Sequence, residues 1–339
     1  MRIGLWLPTF APSTTVAADL SVGSSAARAE SLGFESVWTL DHLLPATRVH
    51  ATSWYDPLIA LAAAAAATDS VELGTASLVT GFRHPFALAK QVATIAALAG
   101  PRVSLGASSG WYEGEYRLFG LEMRERGRRT DECLHVLRRL LDEPVVTFRG
   151  RYWQLDEVSL VPRPAWRLPI LIGGGSRVPE AGSEYDLPVI APTVLARIVE
   201  HDGWLAPCSG REALTLADLA TVRRAALGAG KKDFRYLHVQ WIHVVDTNDR
   251  DEALAVQLPA LRAIMGRERS DQHLAECYLT GALGDIAARI DRLREAGFDD
   301  LILGPVSGDP EQLELIAEIA VSRNPSRKEL VRHERSHGP

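Results

Sequence analysis

The chain reads as an α/β protein, a (β/α)8 TIM barrel with insertions at its C-terminal face. Three observations predict this fold. Short β-branched or apolar runs alternate with helical patterns along nearly all of the 339 residues. The candidate strands number eight, the count a closed barrel needs. The first strand also lacks the glycine fingerprint of a dinucleotide-binding sheet, since "GLWLPTF" contains only Gly4.

The elements follow in chain order. Ile3–Leu7 is the first strand and Ala18–Leu32 the first helical pattern. Ser36–Thr39 leads to a helix over Pro57–Thr68, whose opening proline supplies no N–H where none is needed. Val71–Val79 precedes a helix at Pro85–Ala99, and Val103–Ala107 precedes one at Arg124–Leu141, where Leu134, Leu137, Leu140 and Leu141 repeat at helical spacing. Pro169–Gly173 and Gly203–Ala206 supply two more strands, the second leading to a helix at Leu216–Leu227. Tyr236–Val245 precedes helices at Asp249–Met265 and Leu283–Ala296, and Asp300–Gly304 precedes Pro310–Val321. Residues 145–158 break the repeat as a small hairpin turning at Arg149–Arg151, and residues 177–201 break it with Pro179, Pro188 and Pro192. Insertions of this kind belong at the active-site mouth of a barrel, where loops vary without disturbing the core. The expected organisation is one barrel over residues 1–322 and a polar tail over 323–339, mobile or used in oligomer contacts.

Composition removes several function classes. The balance is 37 basic against 43 acidic residues, net −6, with no basic stripe of the kind that neutralises a phosphate backbone, so no nucleic-acid partner is expected. The most apolar stretch, "LIALAAAAAATDSVELG" from Leu58, is broken by Thr68 and Asp69, short of the roughly 20 residues a bilayer span needs. No membrane partner is expected, and the N-terminal segment lacks a signal-peptide pattern, so the expected location is cytoplasmic. Cys133, Cys208 and Cys277 are odd in number and widely spaced, which suits neither a disulfide framework nor a metal site; no metal is expected.

Candidate chemistry sits where the predicted strands end. Asp41 and His42 follow the second strand; a histidine there can act as a general base near neutral pH, with the neighbouring carboxylate setting its tautomer. The same pair also fits a turn cap and a pocket filler. Thr75, Ser77 and Thr80 end the third strand, and their hydroxyls can bond a polar ring edge or merely reflect β-propensity. Arg83, ahead of a helix start, fits either a phosphate clamp or a surface charge. The fourth strand runs into "SLGASSGWYEGEYRLFG", where Ser108, Ser109 and Gly110 let a planar group lie against the backbone and Trp111 and Tyr112 offer aromatic walls. Glu115 reads as a partner of Arg117 or Arg128, or as a plain surface charge. The fifth strand ends "PILIGGGS", whose Gly173, Gly174, Gly175 and Ser176 can cradle a phosphate through amides and a hydroxyl. Trp54, Tyr55, Trp241 and Tyr278 are candidates for an apolar pocket.

Taken in order, "W-x-x-D-H" at Trp38–His42, "LG-x-x-x-GW-x-x-x-E" at Leu105–Glu115, "ERG-x-R-x-DE" at Glu125–Glu132, "F-x-G-x-Y-x-x-L" at Phe148–Leu155, "PILIGGGS" ending at Ser176 and "DGW" at Asp202–Trp204 resemble the bacterial luciferase-like superfamily. The resemblance spans about residues 2–304. It implies a barrel oxidoreductase using reduced flavin or the deazaflavin F420. By position it makes His42 the residue acting near the reactive ring with Asp41 beside it, Ser77 a ring contact, Ser108, Ser109 and Gly110 a loop along the cofactor, and Gly173–Ser176 the phosphate turn.

The leading expectation from that resemblance is a two-component monooxygenase, taking reduced FMN from a separate flavin reductase and O2 to oxygenate a small organic substrate. F420-dependent hydride transfer is the alternative; its anionic tail would draw on arginines such as Arg83, Arg163 and Arg177. A flavin-binding barrel without catalysis is the third reading, against which the Asp41–His42 pair counts. The resemblance also implies a homodimer.

Overall fold

The computed structural model describes residues 1–11, 22–45, 52–176, 190–266 and 268–321. Eight parallel strands close a ring: β1 (Arg2–Trp6), β2 (Ser36–Thr39), β3 (Glu72–Thr75), β4 (Val103–Ser108), β5 (Ile170–Gly173), β6 (Gly203–Ala206), β7 (Arg235–Ile242) and β8 (Asp300–Pro305). Closure runs through β8 against β1, with Arg2 opposite Asp300, and through β4 against β5, with Leu105 opposite Ile170. The (β/α)8 barrel expected from the sequence is the fold observed. The predicted third strand divides in two: β3 stops at Thr75, a cis peptide joins Ala76 to Ser77, and Leu78–Val79 pairs separately with β4.

Alternation along each strand sorts side chains between the barrel interior and the helical shell. Ile3, Leu5, Val37, Leu73, Val103 and Leu105 point outward into the shell's core, while Trp6, Trp38, Leu171, Leu205, Leu237 and Ile302 form a separate interior cluster. The barrel floor is charged. Arg235 donates to Glu72 at 2.7 Å and to Asp300 at 2.9 Å, and Arg2 reaches the same two carboxylates at 2.7 and 2.6 Å. Above it Trp38 fills the bore, which is why Gly4 and Gly74 face it: a Cβ on Gly74 would lie 2.1 Å from the indole ring.

The shell is α1 (Val22–Leu32), α2 (Pro57–Ala67), α3 (Pro85–Ala99), α4 (Glu113–Leu118), α5 (Arg126–Asp142), α6 (Pro192–Glu200), α7 (Glu212–Gly228), α8 (Arg250–Met265), α9 (Asp271–Cys277), α10 (Leu283–Ala296) and α11 (Pro310–Ile316). Several start as the sequence dictates. Asp56 caps α2 ahead of Pro57, and Asp309 caps α11 ahead of Pro310. The hairpin in 145–158 is present as Val146–Arg149 against Gln154–Val158. The sequence reading missed α4, α6 and α9 as helices, each of nine residues or fewer. Residues 177–189 of the second insertion, including Arg177, and the tail at 323–339 lie outside the described residues.

Among the described residues no helix is long and apolar enough to cross a membrane, and no group of three or more His, Cys, Asp or Glu could hold a metal. Cys133, Cys208 and Cys277 are free thiols.

Candidate active site

The predicted site residues gather on one arc of the barrel mouth, at the ends of four adjacent strands, β2 to β5. Their roles are redistributed. The sequence reading gave His42 its neighbour Asp41 as the orienting carboxylate; in the structure the carboxylate on His42 is Glu115. Oε1 of Glu115 lies 3.0 Å from Nδ1 of His42 and also accepts the backbone N–H of Leu43 at 2.8 Å. Asp41 has other partners. It accepts the Val79 amide at 2.8 Å and the Arg83 guanidinium at 2.8 Å. Burial pushes its carboxyl above the usual range, and Arg83 opposes that rise.

Glu115 and His42 are 1% and 6% exposed, so the carboxylate is a desolvated charge spent on the imidazole and amides beside it. It accepts at Nδ1, which assigns that nitrogen the proton and leaves Nε2 in the accepting tautomer. The helix that carries Glu115 follows a loop pinned by Tyr116, whose hydroxyl donates to the Ser109 carbonyl at 2.8 Å. Gly110 in that loop has φ +66°, and a Cβ there would lie 2.8 Å from Val79.

Ser77, Ser108 and Gly173 converge: a Cβ on Gly173 would sit 3.0 Å from the Ser77 hydroxyl and 3.4 Å from the Ser108 Cβ. Ser77 in the break after β3, Ser108 at the end of β4 and Gly173 at the end of β5 therefore form one surface of backbone and small side chains, suited to a flat ring. Thr75 does not offer its hydroxyl there; it donates to the Gly106 carbonyl at 2.7 Å. Ser176 is equally occupied. Its amide and hydroxyl both donate to Asp218 of α7, at 2.7 and 2.5 Å, a contact the sequence reading had no means of finding. Gly174 donates to the Leu205 carbonyl at 3.4 Å and accepts from Trp204, which leaves Gly173–Gly175 as a backbone turn beside a carboxylate.

Aromatic rings surround the imidazole. Trp54 and Trp111 lie 5.5 and 5.4 Å from His42, Phe10 contacts Trp54 and Trp241, and Trp241 packs on Trp6 at 4.7 Å. Trp111 is 48% exposed at the rim, whereas Tyr278 is fully buried against Met265 and Arg269 and serves packing.

A family model described as luciferase-like monooxygenase matches residues 1–321. The chain belongs to that family. Among curated relatives of this luciferase-like chain, the F420-dependent glucose-6-phosphate dehydrogenase of Amycolatopsis mediterranei is 35% identical over 159 residues, 45% of this chain and 47% of that protein. The FMNH2-dependent dimethylsulfone monooxygenase of Pseudomonas fluorescens is 38% identical over 115 residues, 33% of this chain and 31% of that protein. The matches thus span about half or less of these relatives. An F420-dependent secondary alcohol dehydrogenase superposes with TM-score 0.76 at 22% identity, covering 95% of this chain and 99% of that one, which shows the shared fold. Luciferase-like relatives therefore include users of F420 and of FMNH2.

Proposed function

We propose that this luciferase-like barrel transfers a hydride between a small uncharged organic substrate and a flavin-type ring, with His42 moving the accompanying proton. The observation that supports this reading is the buried His42–Glu115 pair at the barrel mouth, where Ser77, Ser108 and Gly173 also come together. When bound, a reduced or oxidised flavin-type cofactor supplies the two-electron chemistry. The surface of Ser77, Ser108 and Gly173 would hold its ring. Ser108, Ser109 and Gly110 would flank its side chain and Trp111 its open edge. Nε2 of His42 would take the proton of a substrate hydroxyl on oxidation and return it in the reverse direction. Glu115 steadies the imidazolium formed. The ring of Trp54 against His42, with Phe10 and Trp241 behind it, favours an apolar substrate over a phosphorylated one.

The same residues would also serve oxygenation with reduced FMN and O2, in which case a separate flavin reductase is the partner. The test is transfer from a panel of small secondary alcohols to F420, and reduced-FMN oxygenation of the matching ketones, in wild type and His42→Ala. Hydride transfer that falls by about 10²-fold or more in the variant, with cofactor affinity retained, supports the reading. Turnover seen only with O2 and reduced FMN overturns it.

A further inference from the structure

Two buried indoles at the top of the barrel carry donors that the chain does not satisfy. Trp6 ends β1 and Trp241 stands next to last in β7; both face the interior, 5% and 2% exposed. Neither Nε1 has a hydrogen-bond partner, whereas the buried indoles of Trp38 and Trp204 donate to the Ser36 hydroxyl at 2.8 Å and the Gly174 carbonyl at 2.6 Å. Gly304 of β8, the strand between the two, sets how the pair sits. A Cβ there would lie 2.8 Å from Cε3 of Trp6 and 3.0 Å from Cε3 of Trp241, so both six-membered rings cover this glycine. Cε3 and Nε1 lie on opposite edges of an indole, and the N–H edges are therefore turned away from Gly304. On Trp241 that edge stands beside the Cys208 thiol, which follows β6 at the mouth and is a weak acceptor.

A buried donor without a partner costs stability, and it marks a place where an acceptor from outside the chain, solvent or ligand, completes it. Position favours a ligand, because the pair is continuous with the wall beside His42. Phe10 lies 6.4 Å from Trp241 and 6.3 Å from Trp54, and Trp54 lies 5.5 Å from His42, ring centre to ring centre. A molecule lying along these rings with its reacting carbon at His42 brings its far end to the two indoles. We propose that Trp6 and Trp241 form a second recognition point, donating to an uncharged oxygen of the substrate remote from the reacting carbon. The substrate class narrows to alcohols or ketones whose apolar body carries a further carbonyl, ester or sulfonyl oxygen. Indoles bring no charge, so a carboxylate there would exchange its water for two neutral bonds. The Arg269 guanidinium is held by Tyr278 and Met265. This deepens the functional reading and rests on it only in that the substrate lies along this wall.

Heteronuclear NMR tests it, because each of the eight tryptophans gives its own indole N–H signal, and Trp6→Phe and Trp241→Phe identify the two in question. Cyclopentanone and methylenecyclopentane, alike in shape but with and without an acceptor oxygen, are titrated into the full chain, alone and with F420 or FMN added. The expected result is a saturable downfield shift of the Trp6 or Trp241 indole proton with the ketone and none with the alkene, while Trp38 and Trp204 hold still. The variant carrying both Trp6→Phe and Trp241→Phe should bind the ketone about tenfold more weakly and the alkene within about threefold of wild type, which also reports an intact fold. Equal responses to the two probes, no response of either indole under any of these conditions, or tighter binding of cyclopentanecarboxylate than of the ketone would each overturn the proposal. The expected shifts without hydride transfer from any secondary alcohol overturn the functional reading and leave this one standing; hydride transfer without the shifts does the reverse.

Discussion

Glu115 holds the His42 imidazole across 73 positions of sequence, with Oε1 3.0 Å from Nδ1 and a second bond to the Leu43 amide. One carboxylate thereby fixes the ring's tautomer and the backbone that carries it. Glu115→Gln should lower kcat by about 10²-fold, with cofactor affinity within about threefold of wild type. Steady-state kinetics and a cofactor titration check this.

Arg83 is the counter-ion of a carboxylate that cannot reach water. Arg83→Met leaves Asp41 buried and unpaired and should destabilise the fold by about 3–5 kcal/mol. Asp41→Asn in the same chain should recover much of that loss. Burial raises the Asp41 carboxyl, so the folded state favours its protonated form and the variant should regain stability as pH falls toward the carboxylate range. Urea denaturation at pH 7 and pH 5 measures both effects.

Glu30 shows the opposite sign. Burial alone would raise its pKa, but the Ser70 hydroxyl and the amides of Ser70, Asp69 and Val71 outweigh it and hold the carboxyl at about 2. The stability it contributes is complete above the ordinary value of 4.5 and is lost as pH falls from there through about 2. Glu30→Gln should cost about 1–2 kcal/mol at pH 7. The difference from wild type should shrink steadily between pH 4.5 and pH 2 in denaturation series.

The bore of the barrel has no spare volume beside Trp38. Gly74→Ala would place a Cβ 2.1 Å from the indole and should destabilise by about 1–3 kcal/mol or more. Adding Trp38→Leu should restore part of the loss, as a calorimetric melting series would show.

Eight strands and most long helices were legible because their signals are local: period-2 apolar runs, proline and aspartate at helix starts, leucines at helical spacing in α5. The run at Val71–Val79 looked continuous, since residue pattern does not encode the interruption at Ala76–Ser77. The site was legible as positions and misread as partners. Asp41 adjoins His42 in sequence, and adjacency suggested a pair; the two side chains take different partners, and Glu115 arrives after the next strand but one. Glu115 carried a signal in its place after "GW", but nothing local set it apart from a surface charge. Asp218 was invisible, because it lies on a helix 42 positions beyond Ser176 and only the barrel brings them together.

The central claim is that a flavin-type ring lies on the surface formed by Ser77, Ser108 and Gly173. Anaerobic titration with F420 and with reduced FMN, comparing wild type with Gly173→Val, tests it most directly. The account predicts that wild type binds at least F420 with a change in its fluorescence, and that the added side chain, forced against the Ser77 hydroxyl, weakens binding by about tenfold or more while the protein stays folded. Equal binding by the two proteins, or binding of neither cofactor to wild type, would contradict it.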